Sequence, residues 1–118
     1  DPDAEIAREL AENPRWLEGD ARQDIEGKQL ADLPGILATF RSDTGARVLE
    51  LVPRQTVPTL YVLGDEQRSV FLGDARRHLE RTLPAHSRIV VMAAGHTVHR
   101  DRFEEYTHAV LDWIQPSG

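Results

Sequence analysis

Through the first forty residues, apolar side chains recur at helical spacing on a largely polar background. Ile6 and Leu10 stand four apart, and Asp3 ahead of them predicts a helix cap. Asn13-Pro14 predicts the end of that helix, because the residue before a proline is pushed out of helical backbone angles. Trp16 and Leu17 follow, and Ala21 and Ile25 mark a second periodic stretch after Gly19-Asp20. Leu33-Pro34-Gly35 predicts an interruption, with Ile36, Leu37 and Phe40 as a further short apolar face. Ser42-Asp43-Thr44-Gly45 is a turn signal. Val48, Leu49 and Val52 predict one more short helical turn, closed by Pro53.

The pattern changes at residue 57. Val57-Pro58-Thr59-Leu60-Tyr61-Val62-Leu63 is nearly all apolar and runs into Gly64-Asp65. It does not alternate, so it predicts a strand buried on both faces, as in a parallel sheet. Asp74 to Leu83 predicts a helix with Ala75, His78, Leu79 and Leu83 inward and Arg76, Arg77, Glu80 and Arg81 mostly outward. Arg88-Ile89-Val90-Val91-Met92-Ala93 predicts a second buried strand, closed by Ala94-Gly95-His96. Arg102 to Ile114 predicts a last helix with Phe103, Tyr106 and Val110 on its buried stripe. Strand, helix, strand, helix is a βαβα unit with parallel strands. Two strands, each apolar on both sides, leave open hydrogen-bonding edges, so further strands are expected from elsewhere.

Charge and composition remove several classes of function. The net charge is −6, with no basic run and no interleaving of basic and aromatic residues, so nucleic acid is not an expected partner. No apolar stretch reaches the length of a membrane span. The absence of cysteine excludes disulfides, thiolate nucleophiles and Cys-based metal sites within the chain. The chain opens Asp1-Pro2-Asp3, with neither an initiator methionine nor a signal sequence. We therefore expect a processed or split product, soluble, and cytoplasmic rather than secreted.

In open parallel sheets, ligands bind at the loops that follow the strands. Two such loops are expected here, Gly64 to Val70 and Gly95 to Arg100. The second carries His96 directly after a strand, where an imidazole is suited to general-base work near neutral pH. A histidine that merely leads into the last helix is the structural alternative. His78 and His108 fall on predicted helices, and His86 falls in a turn. His99 stands three residues after His96, but no third ligand has matching spacing, so no metal site and no cofactor is expected. Asp65 and Glu66 follow the first strand, where a carboxylate is suited to orient the imidazole, or is simply a solvated turn residue. None of Ser42, Ser69, Ser87 and Ser117 sits in a Gly-x-Ser-x-Gly elbow, so no nucleophile is visible.

The segments Val57 to Asp65, Asp74-Ala75-Arg76-Arg77, Ile89 to His96 and Phe103-Glu104-Glu105-Tyr106 together resemble the last two strands and helices of α/β-hydrolases. The resemblance is specific over residues 57–114 and weaker over 1–56. It implies an α/β fold, the C-terminal part of an α/β-hydrolase sheet with two parallel strands and their helices. An N-terminal half or second chain, carrying the nucleophile, would complete that sheet. It implies two regions: a helical lid tail and connecting helix over 1–56, and the βαβα part of the core over 57–118. His96 would be the triad histidine, with Val70 and Trp16 lining a pocket for a small apolar substrate; the alternative for Trp16 is a buried packing residue. Two departures stand out. The nucleophile elbow is absent, and the family's usual acid position after the penultimate strand is occupied by Gln67. Asp65 or Glu66 would then serve as the acid, or the acid would come from the other half. The expected activity is hydrolysis of an ester, lactone or related electrophile. The alternatives are a non-catalytic small-ligand-binding protein on the same fold and a self-pairing βαβα interaction domain.

Overall fold

The computed structural model describes residues 1–41, 44–69, 71 and 73–115, and shows a mixed α/β protein. Its contacts divide it into two compact units, 1–43 and 44–118.

The first unit is helical. Helix α1 spans Pro2–Glu12 and α2 spans Glu18–Leu30. The cap of α1 is Asp1, not the expected Asp3: the Asp1 carboxylate accepts the Asp3 N–H at 3.1 Å. Pro2 then occupies the first turn, where its missing N–H has no helical partner to lose. Ile6, Ala21 and Ile25 are buried between the helices, with Leu10 packed against them. At the edge of this contact Lys28 of α2 pairs with Glu9 of α1 and with Asp24. Hydrogen bonds from Lys28 to Asp24 and then to Glu9 hold its ammonium above the usual lysine range. Helix α3, Leu33–Arg41, starts where an interruption is predicted. Pro34 falls in its first turn, and Gly35 donates its N–H to the Asp32 carboxylate at 3.2 Å, so both residues begin the helix instead of breaking it. Ile36 and Leu37 remain exposed. Ser42 and Asp43 of the turn signal lie outside the described residues.

The second unit contains α4 (Thr44–Leu51), a 3-10 turn (Val52–Arg54), β1 (Leu60–Leu63), α5 (Gly73–Thr82), β2 (Arg88–Val91), α6 (Val98–Asp101) and α7 (Phe103–Ile114). Residues 44–56, grouped by sequence with the preceding helices, belong to this unit, where α4 and the 3-10 turn pack against α5. The strands are parallel, with Leu60 opposite Arg88 and Leu63 opposite Val91. β1 begins three residues later than the apolar run. Pro58 has no N–H, and Thr59 turns its N–H to the Ser87 hydroxyl at 3.2 Å while its carbonyl accepts Arg88 N–H at 3.0 Å. Each strand sends alternate side chains to opposite faces. Val62 and Val90 pack with Met92, Ala94 and Val98 against Tyr106 and Ala109 of α7. Tyr61 and Leu63 face a groove of about 750 Å³ that is also lined by Val52, Val57, Phe71 and Leu79.

The expected burial on both faces is only partly met. All four β1 residues are half-buried, and Arg88 and Val91 at the two ends of β2 are exposed. Phe103, expected on the buried stripe of α7, is 65% exposed, and Ile114 is exposed too. Phe103 and Ile114 are the two end residues of α7, and strands of four residues are shorter than a helix of twelve. Among the described residues, each strand has one hydrogen-bonded neighbour.

Candidate functional site

Gly64 and Asp65 follow β1, and Ala94, Gly95 and His96 follow β2, so both loops leave the same end of the sheet. They meet backbone to backbone. Met92 N–H donates to the Leu63 carbonyl at 2.9 Å, the last rung of the ladder, and Asp65 N–H donates to the Ala94 carbonyl at 2.8 Å. Gly64 is required at this crossing, since a Cβ there would overlap the Gly95 carbonyl oxygen and lie 2.8 Å from that of Ala94.

The His96 loop is tied on both sides of the imidazole. Arg102 Nε donates to the Ala93 carbonyl at 3.0 Å, and Gly95 N–H donates to the Asp101 carboxylate at 2.6 Å. After His96, Thr97 opens α6, its carbonyl accepting the N–H groups of Arg100 and Asp101 at 2.9 and 3.1 Å. This short helix lies within the stretch expected as loop. It aims the Asp101 side chain back at Gly95. His96 is exposed, on a backbone held before and after it. An imidazole so presented is open to a reacting group arriving from outside this unit.

Asp65 is half-buried and shapes its own turn. Its carboxylate accepts the Gln67 N–H at 2.8 Å, and its carbonyl accepts the N–H groups of Arg68 and Ser69 at 3.0 and 2.8 Å. No hydrogen bond or ion pair joins Asp65 to His96, although their loops touch through the Asp65 N–H. Glu66 and Gln67 are exposed. Trp16 belongs to the first unit, half-buried in the turn between α1 and α2, with its backbone N–H donating to the Asn13 carbonyl at 3.0 Å. Val70 lies outside the described residues. His99 is exposed and stands edge-on to Tyr106 of α7, ring centres 6.1 Å apart.

Two residues of this site escape sequence reasoning. Arg76, assigned by periodicity to the outer face of α5, is buried, and its guanidinium donates to the Gly64 carbonyl at 3.3 Å and to Glu80 at 3.4 Å. Only the four-residue spacing to Glu80 hinted at an ordered side chain. Asp101 has a side chain 12% exposed and carries no signal beyond its place before the last helix.

Among the described residues no group of three or more His, Cys, Asp or Glu side chains is arranged to hold a metal ion. No described helix is long and apolar enough to cross a membrane. Comparison with protein-family models, with curated proteins and with solved structures finds no match for this chain.

Proposed function

We propose that this chain supplies the C-terminal strands and the catalytic histidine of an α/β-hydrolase whose nucleophile and remaining strands come from a further segment or a second chain. The observation that supports this reading most is His96 itself: exposed, five residues past the end of the parallel strand β2, on a loop anchored at Ala93 and Gly95. His96 would take the proton of the attacking nucleophile and return it to the leaving group. The substrate class is a small apolar ester, lactone or related electrophile. The two half-covered strands support the completing segment, because parallel strands are stable when helices cover both faces and neighbours fill both edges. The test is a turnover assay on the native protein with every chain that co-purifies, against short aryl esters, lactones and epoxides. Turnover together with a bound sheet-bearing segment is expected. A cooperative 13.3 kDa monomer inert toward the whole panel would overturn the proposal.

Asp65 is the acid we propose within this chain. Asp65→Asn keeps an oxygen to accept the Gln67 N–H and removes only the charge. If the carboxylate compensates the imidazolium, kcat falls by roughly 10²-fold or more with the turn intact. Unchanged kcat would assign Asp65 to the turn alone and move the acid to the other segment.

One observation favours a second reading, a non-catalytic protein that binds a small apolar ligand. The Asp65 carboxylate is engaged by a backbone N–H, and Gln67 occupies the position where the resembled family carries its acid. In that case substitution of His96 changes ligand affinity and there is no turnover to lose.

A further inference from the structure

The two strand-end loops are joined by more than backbone. Asp101 sits at the end of α6 with its carboxylate turned inward, accepting the Gly95 N–H at 2.6 Å. The Arg68 guanidinium, from the loop after β1, reaches within 4.0 Å of the same carboxylate oxygen. A Cβ placed on Gly95 would stand 3.1 Å from that oxygen and 3.5 Å from the Arg68 carbonyl, so loop, carboxylate and Arg68 backbone are closely packed. A hydrogen bond from a backbone N–H to an ionised carboxylate is shorter and stronger than one between neutral groups. Here it acts on the residue immediately before His96.

We propose that Asp101 is the positioning residue of His96, fixing through Gly95 the backbone from which the imidazole projects, with Arg68 linking it to the opposite loop. The proposal rests on the reading of His96 as the general base. Asp101 does not touch the reacting atoms. Its effect is geometric: a freed Gly95 lets the His96 Cα drift, and a displacement of about 1 Å at a reacting group costs on the order of 10²-fold in rate. Arg68 is 61% exposed and its charge is screened, so it contributes less than the part-buried carboxylate it faces.

Asp101→Ala and Asp101→Asn in the native protein test this, with two readouts. The first is amide hydrogen exchange at Gly95, followed by NMR, together with the His96 ring signals; neither requires turnover. Asp101→Ala should speed Gly95 exchange at least about tenfold and shift the ring signals. Asp101→Asn keeps an acceptor and should restore most of the protection, which keeps the test decisive if the alanine variant folds poorly. The second readout is kinetic: Asp101→Ala should lower kcat about 10- to 100-fold while KM stays within about threefold. Gly95 exchange and ring signals unchanged in both variants would overturn the positioning role, as would a loss confined to KM. If Gly95 responds as expected but His96→Ala leaves turnover intact, the reading of His96 as base fails and the anchoring of the loop stands.

Discussion

Replacing His96 with alanine is expected to lower kcat/KM by roughly 10²–10⁴-fold while leaving the unfolding midpoint within about 2 °C of wild type. The side chain is exposed and fills no core volume, so its removal leaves no cavity. Its backbone neighbours are held by Arg102 and Asp101, not by the ring, so the loop keeps its course without the imidazole. On the proposed reading, what disappears is the group that would accept the proton of the nucleophile. Steady-state kinetics with the best ester or lactone substrate, paired with thermal unfolding, checks both halves of the expectation. Full activity in the variant would remove His96 from the chemistry and with it the main support for hydrolysis. A large fall in unfolding midpoint would make it a structural histidine.

Gly64→Ala is expected to cost about 3 kcal/mol or more of stability, the high end for an overpacked site. The added methyl meets the Gly95 and Ala94 carbonyl oxygens, both backbone atoms, so no side chain can swing aside to admit it. Relief requires the two loops to part, which breaks the Asp65 N–H to Ala94 carbonyl bond and displaces the carbonyl that Arg76 engages. Gly95→Ala is the instructive companion, since its Cβ meets chiefly the Asp101 carboxylate at 3.1 Å, the end of a side chain and not backbone. Urea unfolding of both variants should rank Gly64→Ala as the more damaging by at least about 1 kcal/mol. A Gly64→Ala protein of wild-type stability would show that the loops do not cross as closely as described.

Much of this architecture is legible in the sequence, and the exceptions have physical causes. The parallel strands and the helices around them follow from continuous apolar runs and helical spacing, signals that local chemistry writes directly. Strand ends were less legible. Pro58 cannot donate and Thr59 bonds to Ser87, so the ladder starts later than the apolar run. The interruption predicted at Leu33-Pro34-Gly35 became the first turn of α3, because proline is tolerated where helix N–H groups are unpaired anyway. Arg76 misled because periodicity ranks residues by polarity and cannot see that a carbonyl at the end of β1 awaits a donor. Asp101 was invisible for the same reason: its partner is a main-chain N–H, which has no letter in the sequence. The position of His96 was readable, whereas the means that hold it were not.

The crossing of Gly64 over Gly95 separates two kinds of sequence constraint. Where the loops meet, the contact is main chain on main chain, and side chains there are small or absent. One to two residues further along, Glu66, Gln67 and His96 project outward and take no part in it. Substitutions at positions 66 and 67 therefore leave the spacing of the two loops unchanged. Such a frame suits directed evolution: libraries confined to those positions would vary the chemistry of the exposed loop surface at little risk to folding, whereas randomising Gly64 would mostly yield proteins that fail to fold.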